Sequence, residues 1–241
     1  MKQRGFSLLE LALVIAVLGL LLGAAINPMR HFLRQQWIER EQAQLATARD
    51  LLLAYAVRQG RLPCPDRDGD GREDNGNGSC GETAINSSPS DAQRQRIVAG
   101  RLPWLDVGAA ARNAHGERYH YAVTLHYADT ASFDDPTEFP RSSGLACPKA
   151  SASLLPQPSF TLCSLGAIDI RAAEGSWRVR DAPFVLWSRG ADSGARSSGE
   201  SENADGDRVF ETRPWNTQFD DQVSWLSSAQ LAWQGGLRPG Y

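Results

Sequence analysis

The densest chemistry in this chain is the run Asp66-Arg67-Asp68-Gly69-Asp70-Gly71-Arg72-Glu73-Asp74. Carboxylates at alternating positions can converge on one hard cation, and Gly71 permits the sharp turn that such convergence needs. The same run also suits a solvated Asp/Gly turn that binds nothing. A second conspicuous carboxylate is Glu10, alone among apolar residues that run from Leu8 to Ile26 and are otherwise broken only by Gly19 and Gly23. An acid near the centre of a membrane span costs roughly 2.5–3.5 kcal/mol on insertion scales, and less towards an end. A helix that only had to cross a bilayer has no use for it.

The cysteines form a third pattern. Cys64 and Cys80 have the same spacing as Cys147 and Cys163. Four cysteines allow three connectivities; two local bridges are the simplest, each closing a loop worth roughly 3 kcal/mol in the chain-entropy model. A four-cysteine zinc site would want C-x2-C knuckles, which are absent, so free thiols are the main alternative. Two disulfides would place these residues in an oxidising compartment. Enzyme chemistry is not expected. Ser193 lacks a G-x-S-x-G elbow, no glycine pattern suits a phosphate loop, and His115, His120 and His126 make no zinc signature. Arg94, Arg96 and Arg101 read as a solvated face, and a net charge of −3 argues against a nucleic-acid partner.

The elements that must carry these groups begin with a helix. Phe6 to Ile26 is close to the ~20 residues that span a hydrocarbon core. A secretory signal peptide is the rival reading, with Lys2 and Arg4 as its charged region and Gly23-Ala24-Ala25 near a cleavage site. Against it stand the length of the apolar run, Glu10, and helical patterning that continues past residue 26. Pro28 should kink the helix. Beyond it Ile38, Leu45, Ala48, Leu52 and Tyr55 recur at helical spacing, with Glu41 as an interruption. Gly60, Pro63 and Pro65 end the helix near Gln59.

Gly5-Phe6-Ser7-Leu8-Leu9-Glu10 resembles the processing site of type IV prepilins and the related pseudopilins. The resemblance covers about the first 26 residues. It implies cleavage of a leader, residues 1–5, after Gly5 by a prepilin peptidase, and methylation of Phe6 as the new N-terminus. It also implies that Glu10 answers the N-terminal amine of a neighbouring subunit during assembly. Phe6 and Glu10 stand at i, i+4 on one helix face, and an ammonium–carboxylate pair removes most of the cost of burying either charge. Loss of Lys2 and Arg4 would take the net charge from −3 to −5.

The remaining chain, residues 60–241, reads as short strands and loops. Tyr119 to Tyr127 alternates with period two, and further strands are expected at Ala167–Arg171, Trp177–Arg180, Phe184–Trp187, Val209–Thr212 and Val223–Leu226. Residues 132–143 and 190–207 read as loops, the second long enough to be functional or partly disordered. The expected fold is α+β and pilin-like: a long bent N-terminal helix packed on a C-terminal antiparallel sheet domain with long loops. Residues 6–27 form its transmembrane and assembly half, and 28–59 the second half. Phe219 to Ser227 is similar to C-terminal segments of some large prepilin-like proteins.

The acidic run resembles calcium loops of the EF-hand type. Asp66, Asp68, Asp70 and Asp74 take positions 1, 3, 5 and 9, Gly71 takes position 6, and Arg72 takes the main-chain position 7. Asn77 stands at position 12, where that pattern wants Glu, so Glu73 or Glu82 would have to substitute. Calcium, if bound, would be structural. The resemblances together imply a minor pilin-like subunit of a filament, with a pseudopilin of a type II secretion system or a pilin-anchored adhesin as alternatives. The implied partners are other pilins, the peptidase and inner-membrane assembly machinery. The implied place is the inner membrane, crossed once, with the C-terminal domain in the periplasm.

Overall fold

Helix α1 runs from Leu8 to Gln59 in the computed structural model, which describes residues 8–76, 80, 97–128, 166–191 and 197–234, with side chains omitted at 22, 24–31 and 126. The helical backbone continues through Asn27 and Pro28, so the proline does not end it. Gly60 does: with φ at 70° it takes the left-handed conformation that a side chain resists, and its N–H bonds the Ala56 carbonyl. The chain divides into two compact units, Met1–Arg40 and Glu41–Tyr241. The described part of the first is helix alone.

In the second unit the end of α1 packs on a four-stranded sheet. Its strands are β1 (Ile97–Arg101), β2 (His120–Thr124), β5 (Phe184–Ser188) and β7 (Gln222–Leu226), in the order β1-β2-β5-β7 with every pair antiparallel. A second sheet holds β3 (Ile168–Ala172), β4 (Trp177–Ala182) and β6 (Val209–Thr212) in the order β4-β3-β6. Here β3–β4 is antiparallel and β3–β6 parallel. The short helices α2 (Trp104–Val107), α3 (Leu125–Ala128), α4 (Ser198–Ala204) and α5 (Ser228–Gln234) lie between and after the strands. The fold is α+β, with a long N-terminal helix packed on antiparallel sheet.

Strand alternation explains the layering. Tyr121, Val123, Phe184 and Leu186 point to one side and join Leu45, Ala48, Leu52 and Tyr55 of α1 in one apolar core. Ala122, Val185 and Trp187 point to the other and join Ile168, Ile170 and Phe210 of the second sheet. Strand β5 is therefore covered on both faces, which is why Phe184-Val185-Leu186-Trp187 is continuously apolar rather than alternating. Glu41 interrupts the apolar stripe in sequence but not in packing, because it is buried and accepts the Ala114 N–H at 2.9 Å.

Three elements differ from the sequence reading. The strand expected to reach Tyr127 stops at Thr124 and turns into α3. Its ladder to β5 meets Pro183 there: Thr124 donates to the Pro183 carbonyl, but the proline has no N–H to return. Strand β1 was not anticipated, and α4 occupies part of the segment read as loop. The expected loop 132–143 lies outside the described residues.

Candidate functional site

Glu10 lies near the start of the described helix. Its neighbours Leu8, Leu9, Leu11 and Leu13 are exposed, as are Val14, Ile15, Val17, Leu18, Leu20 and Leu21. A helix apolar on every face is one that another apolar medium must cover. Gly5 and Phe6 lie outside the described residues. Among the described residues no helix is long and apolar enough to cross a membrane; the described apolar run from Leu8 to Leu21 is shorter than the ~20 residues a span requires.

The acidic run folds into a loop pinned at both ends. Asp66 and Arg101 exchange main-chain hydrogen bonds at 2.9 and 2.7 Å, which fastens the start of the loop to the end of β1. The Asp66 carboxylate is fully buried and accepts the N–H groups of Gly69 and Gly71. Gly71, at φ 88°, packs directly on the Trp104 indole, so a side chain there is excluded twice over. Asp68 accepts the Asp70 N–H, Asp70 accepts the Arg72 N–H, and Asp74 accepts the Arg67 N–H at 2.6 Å. These local bonds are the turn chemistry of Asp.

That geometry brings together part of the expected ligand set. Carboxylate oxygens of Asp66, Asp68 and Asp74 lie within 4.8 Å of one another, an arrangement an ion can use. Among the described residues Asp70 is not in that group, the Arg72 side chain turns to Asp106 at 3.6 Å, and Asn77 and Glu82 fall outside the description. Glu73 is committed elsewhere. It takes Arg61 through two bonds at 2.6 and 2.7 Å, and also accepts from the Tyr55 hydroxyl and the Cys64 N–H. Burial pushes the Glu73 carboxyl up, but Arg61 and these donors outweigh it and hold it below the ordinary range. It is a structural anchor rather than a ligand. Arg118, 3.7 Å from Asp66, and Arg67, 3.7 Å from Asp74, already supply positive charge to the loop.

Cys64 and Cys80 form a disulfide with Cα atoms 5.2 Å apart, and both are fully buried. The bridge encloses the acidic loop and limits how far its ends can separate. Cys147 and Cys163, like Arg94, Arg96 and Ser193, lie outside the described residues. His120 stacks on Trp187 with ring centroids 5.1 Å apart, and burial together with Arg189 and Arg101 drives its pKa down to about 4. It is a neutral packing residue at neutral pH.

A second carboxylate cluster escaped sequence reasoning: Glu200, Asp220 and Asp221, again within 4.8 Å of one another. Glu200 closes a capping box at the start of α4, accepting the Ser197 N–H while Ser197 accepts the Glu200 N–H. Asp221 accepts the Asn203 amide at 2.8 Å. The local signal was legible as Ser197-x-x-Glu200; its meeting with Asp220-Asp221 required the tertiary fold.

No curated protein and no solved structure matches the chain. Residues 1–26 match the prokaryotic N-terminal methylation motif. A signal of this class implies a membrane-anchored precursor. The chain thus carries the N-terminal methylation motif typical of the type IV pilin and pseudopilin family.

Proposed function

We propose that this chain is a minor subunit of a type IV pilus-like filament, acting in priming or at the tip. It is cleaved after Gly5, methylated at Phe6, and assembled through its N-terminal helix. The observation that carries this reading is the match of residues 1–26, a stretch that holds Glu10, to the N-terminal methylation motif. The all-round apolar surface of the described helix agrees with it. In this reading the apolar run to Ile26 sits in the inner membrane before assembly and among neighbouring helices after it. Glu10 then meets the ammonium of the preceding subunit, which offsets the penalty of burying each charge alone. Its partners are other pilins, the prepilin peptidase and the inner-membrane assembly machinery. The Cys64–Cys80 bridge supports a periplasmic place for residues 60–241.

Mass spectrometry of the membrane-extracted protein tests the processing: a chain beginning at N-methylated Phe6 is expected, and one beginning near Ala25 refutes it. Deletion of the chain, scored for surface pili and for export of folded proteins, separates a pilus role from the pseudopilin role. Loss of export with intact pili would reassign it to secretion. If pili and export both persist while surface adhesion fails, the adhesin reading takes its place.

The convergence of Asp66, Asp68 and Asp74 favours a structural calcium ion in the acidic loop. At a free calcium concentration about a hundred times the dissociation constant, binding would stabilise the domain by about 2.7 kcal/mol. A thermal melt with and without chelator reads this directly. Coincident melts would remove the ion.

A further inference from the structure

Between the two sheets of the second unit opens a cleft of about 380 Å³, bordered by Arg101, His120, Trp187, Arg189, Asn203 and Phe210. Strand β1 supplies Arg101, β2 His120, β5 Trp187 and β6 Phe210, so rigid elements hold most of it. Its volume lies at the lower end of small-molecule sites, about 300–1,000 Å³.

Three arginines line the cleft; Arg67 pairs with Asp74, and the other two are uncommitted. Arg61, Arg118, Arg171, Arg208 and Arg213 each have a carboxylate partner. Among the described residues the guanidinium groups of Arg101 and Arg189 have neither ion pair nor hydrogen bond, and Arg189 Nε is buried without an acceptor. Trp187 is 5% exposed, and its Nε1–H is likewise buried with no acceptor. Orphaned buried donors are costly unless something completes them.

The nearby acids do not cancel this charge. Asp66 is taken up by two backbone N–H groups and Arg118, and Asp207 accepts the Val209 N–H. Asp221 lies in Coulombic reach of Arg189 without forming an ion pair. Burial is the main cause that lowers the His120 pKa, and both arginines add to it.

We propose that this cleft binds a small organic oxyanion, a carboxylate or phosphate on a sugar-sized body, gripped by Arg101 and Arg189 with Trp187 Nε1–H donating to it. Guanidinium groups suit both anions because their forked donors match planar or tetrahedral oxygens. The small residues Ala99, Gly100, Ala204 and Gly206 along the walls leave room for the body of the ligand. This site lies in residues 60–241 and does not depend on the role proposed for the N-terminal helix.

The test uses the full chain in detergent at low ionic strength, titrated separately with glucuronate, glucose 6-phosphate and neutral glucose. The readouts are the Trp187 indole N–H resonance, assigned through Trp187→Phe, and the His120 titration. An anion seated between the arginines should shift the indole signal and raise the His120 pKa, whereas glucose should do neither. Arg101→Ala, at an exposed position, should weaken binding about tenfold, the loss of one charge-assisted contact. Arg189→Lys should weaken it also, because the fork is lost. Arg112→Ala, whose guanidinium bonds the Gly116 carbonyl away from the cleft, should change nothing. Binding of one anion alone identifies the head group as carboxylate or phosphate. Binding of neither, equal binding of glucose, or affinity unchanged in a folded Arg101→Ala protein overturns the proposal.

Discussion

Replacing Asp221 by Asn should make the protein more stable at alkaline pH and leave it nearly unchanged at acid pH. Asp221 is 3% exposed, and the carboxylates of Glu200 and Asp220 lie within 4.8 Å. Burial is the main cause that raises its pKa from 3.8 to about 7, the like charges of Glu200 and Asp220 add to it, and the Asn203 amide and Arg189 oppose it. A carboxyl raised in the folded state binds a proton that the unfolded chain releases. Its contribution to stability is therefore whole below about pH 4 and falls as pH rises towards 7, at up to about 1.4 kcal/mol per pH unit. Between pH 5 and pH 8 that amounts to about 2.5 kcal/mol, and roughly half of this if water reaches the site. Asn keeps an acceptor for Asn203 and carries no charge. The assay is a pair of thermal melts of the full chain in detergent from pH 5 to pH 8, wild type against Asp221→Asn. The variant should melt about 3–8 °C higher at pH 8, given about 2–4 °C per kcal/mol for a domain of this size. Melting curves that stay parallel across the whole range would show that Asp221 is ionised in the fold and that the reasoning is wrong.

Other changes probe the supports of the acidic loop and of α4. Glu73→Gln removes the charge that holds Arg61 in a largely buried pair, and should cost about 3 kcal/mol in chemical denaturation. Because the Glu73 carboxyl is held low, its stabilising contribution should be present at neutral pH and disappear on acidification through its folded pKa. Cys64→Ser with Cys80→Ser should lower stability by about 3 kcal/mol, read by chemical denaturation of the double variant against the wild type. Ser197→Ala breaks the capping box and should cost about 1 kcal/mol, with local hydrogen exchange in α4 faster than in β5.

Long-period patterns were legible in the sequence; groups assembled from distant segments were not. Leu45, Ala48, Leu52 and Tyr55 advertise one face of α1 because helical spacing repeats over many turns, and Gly60 ends the helix where its freedom predicts. Strands β3 to β7 follow from short apolar runs between turn residues. Strand β1 is obscured because Gly100 weakens its strand character and its partner is remote in sequence. The strand signal from Tyr119 to Tyr127 misleads beyond Thr124 because pattern records which face is buried, not where the neighbouring strand has an N–H to offer. Composition hid α4, since Gly, Ser and Glu read as loop until Ser197 and Glu200 cap each other. In the acidic loop the alternation of Asp residues suggested four converging carboxylates. Turn bonds divert Asp70 to the Arg72 N–H, and three converge.

Two glutamates on α1 show what it takes to keep an acid in apolar surroundings. Glu41 is covered by its own domain, where the Ala114 N–H answers one carboxylate oxygen and the other is buried without a partner. Glu10 has no hydrogen bond or ion pair among the described residues, and the leucines beside it are exposed. An exposed carboxylate carries no desolvation penalty; the penalty arises only when the surface around it is covered, by lipid or by neighbouring helices. Whatever covers Leu8 to Leu21 must then answer Glu10, and on the function proposed above that answer comes from a neighbouring subunit. Glu10→Ala should accordingly leave the melt of residues 41–241 unchanged, because the role proposed for the charge lies in the assembly. It should still be cleaved after Gly5, yet enter filaments poorly beside wild-type partners. A lowered melting temperature would mean that Glu10 serves the fold, and normal incorporation would mean that the covering medium needs no answer from it.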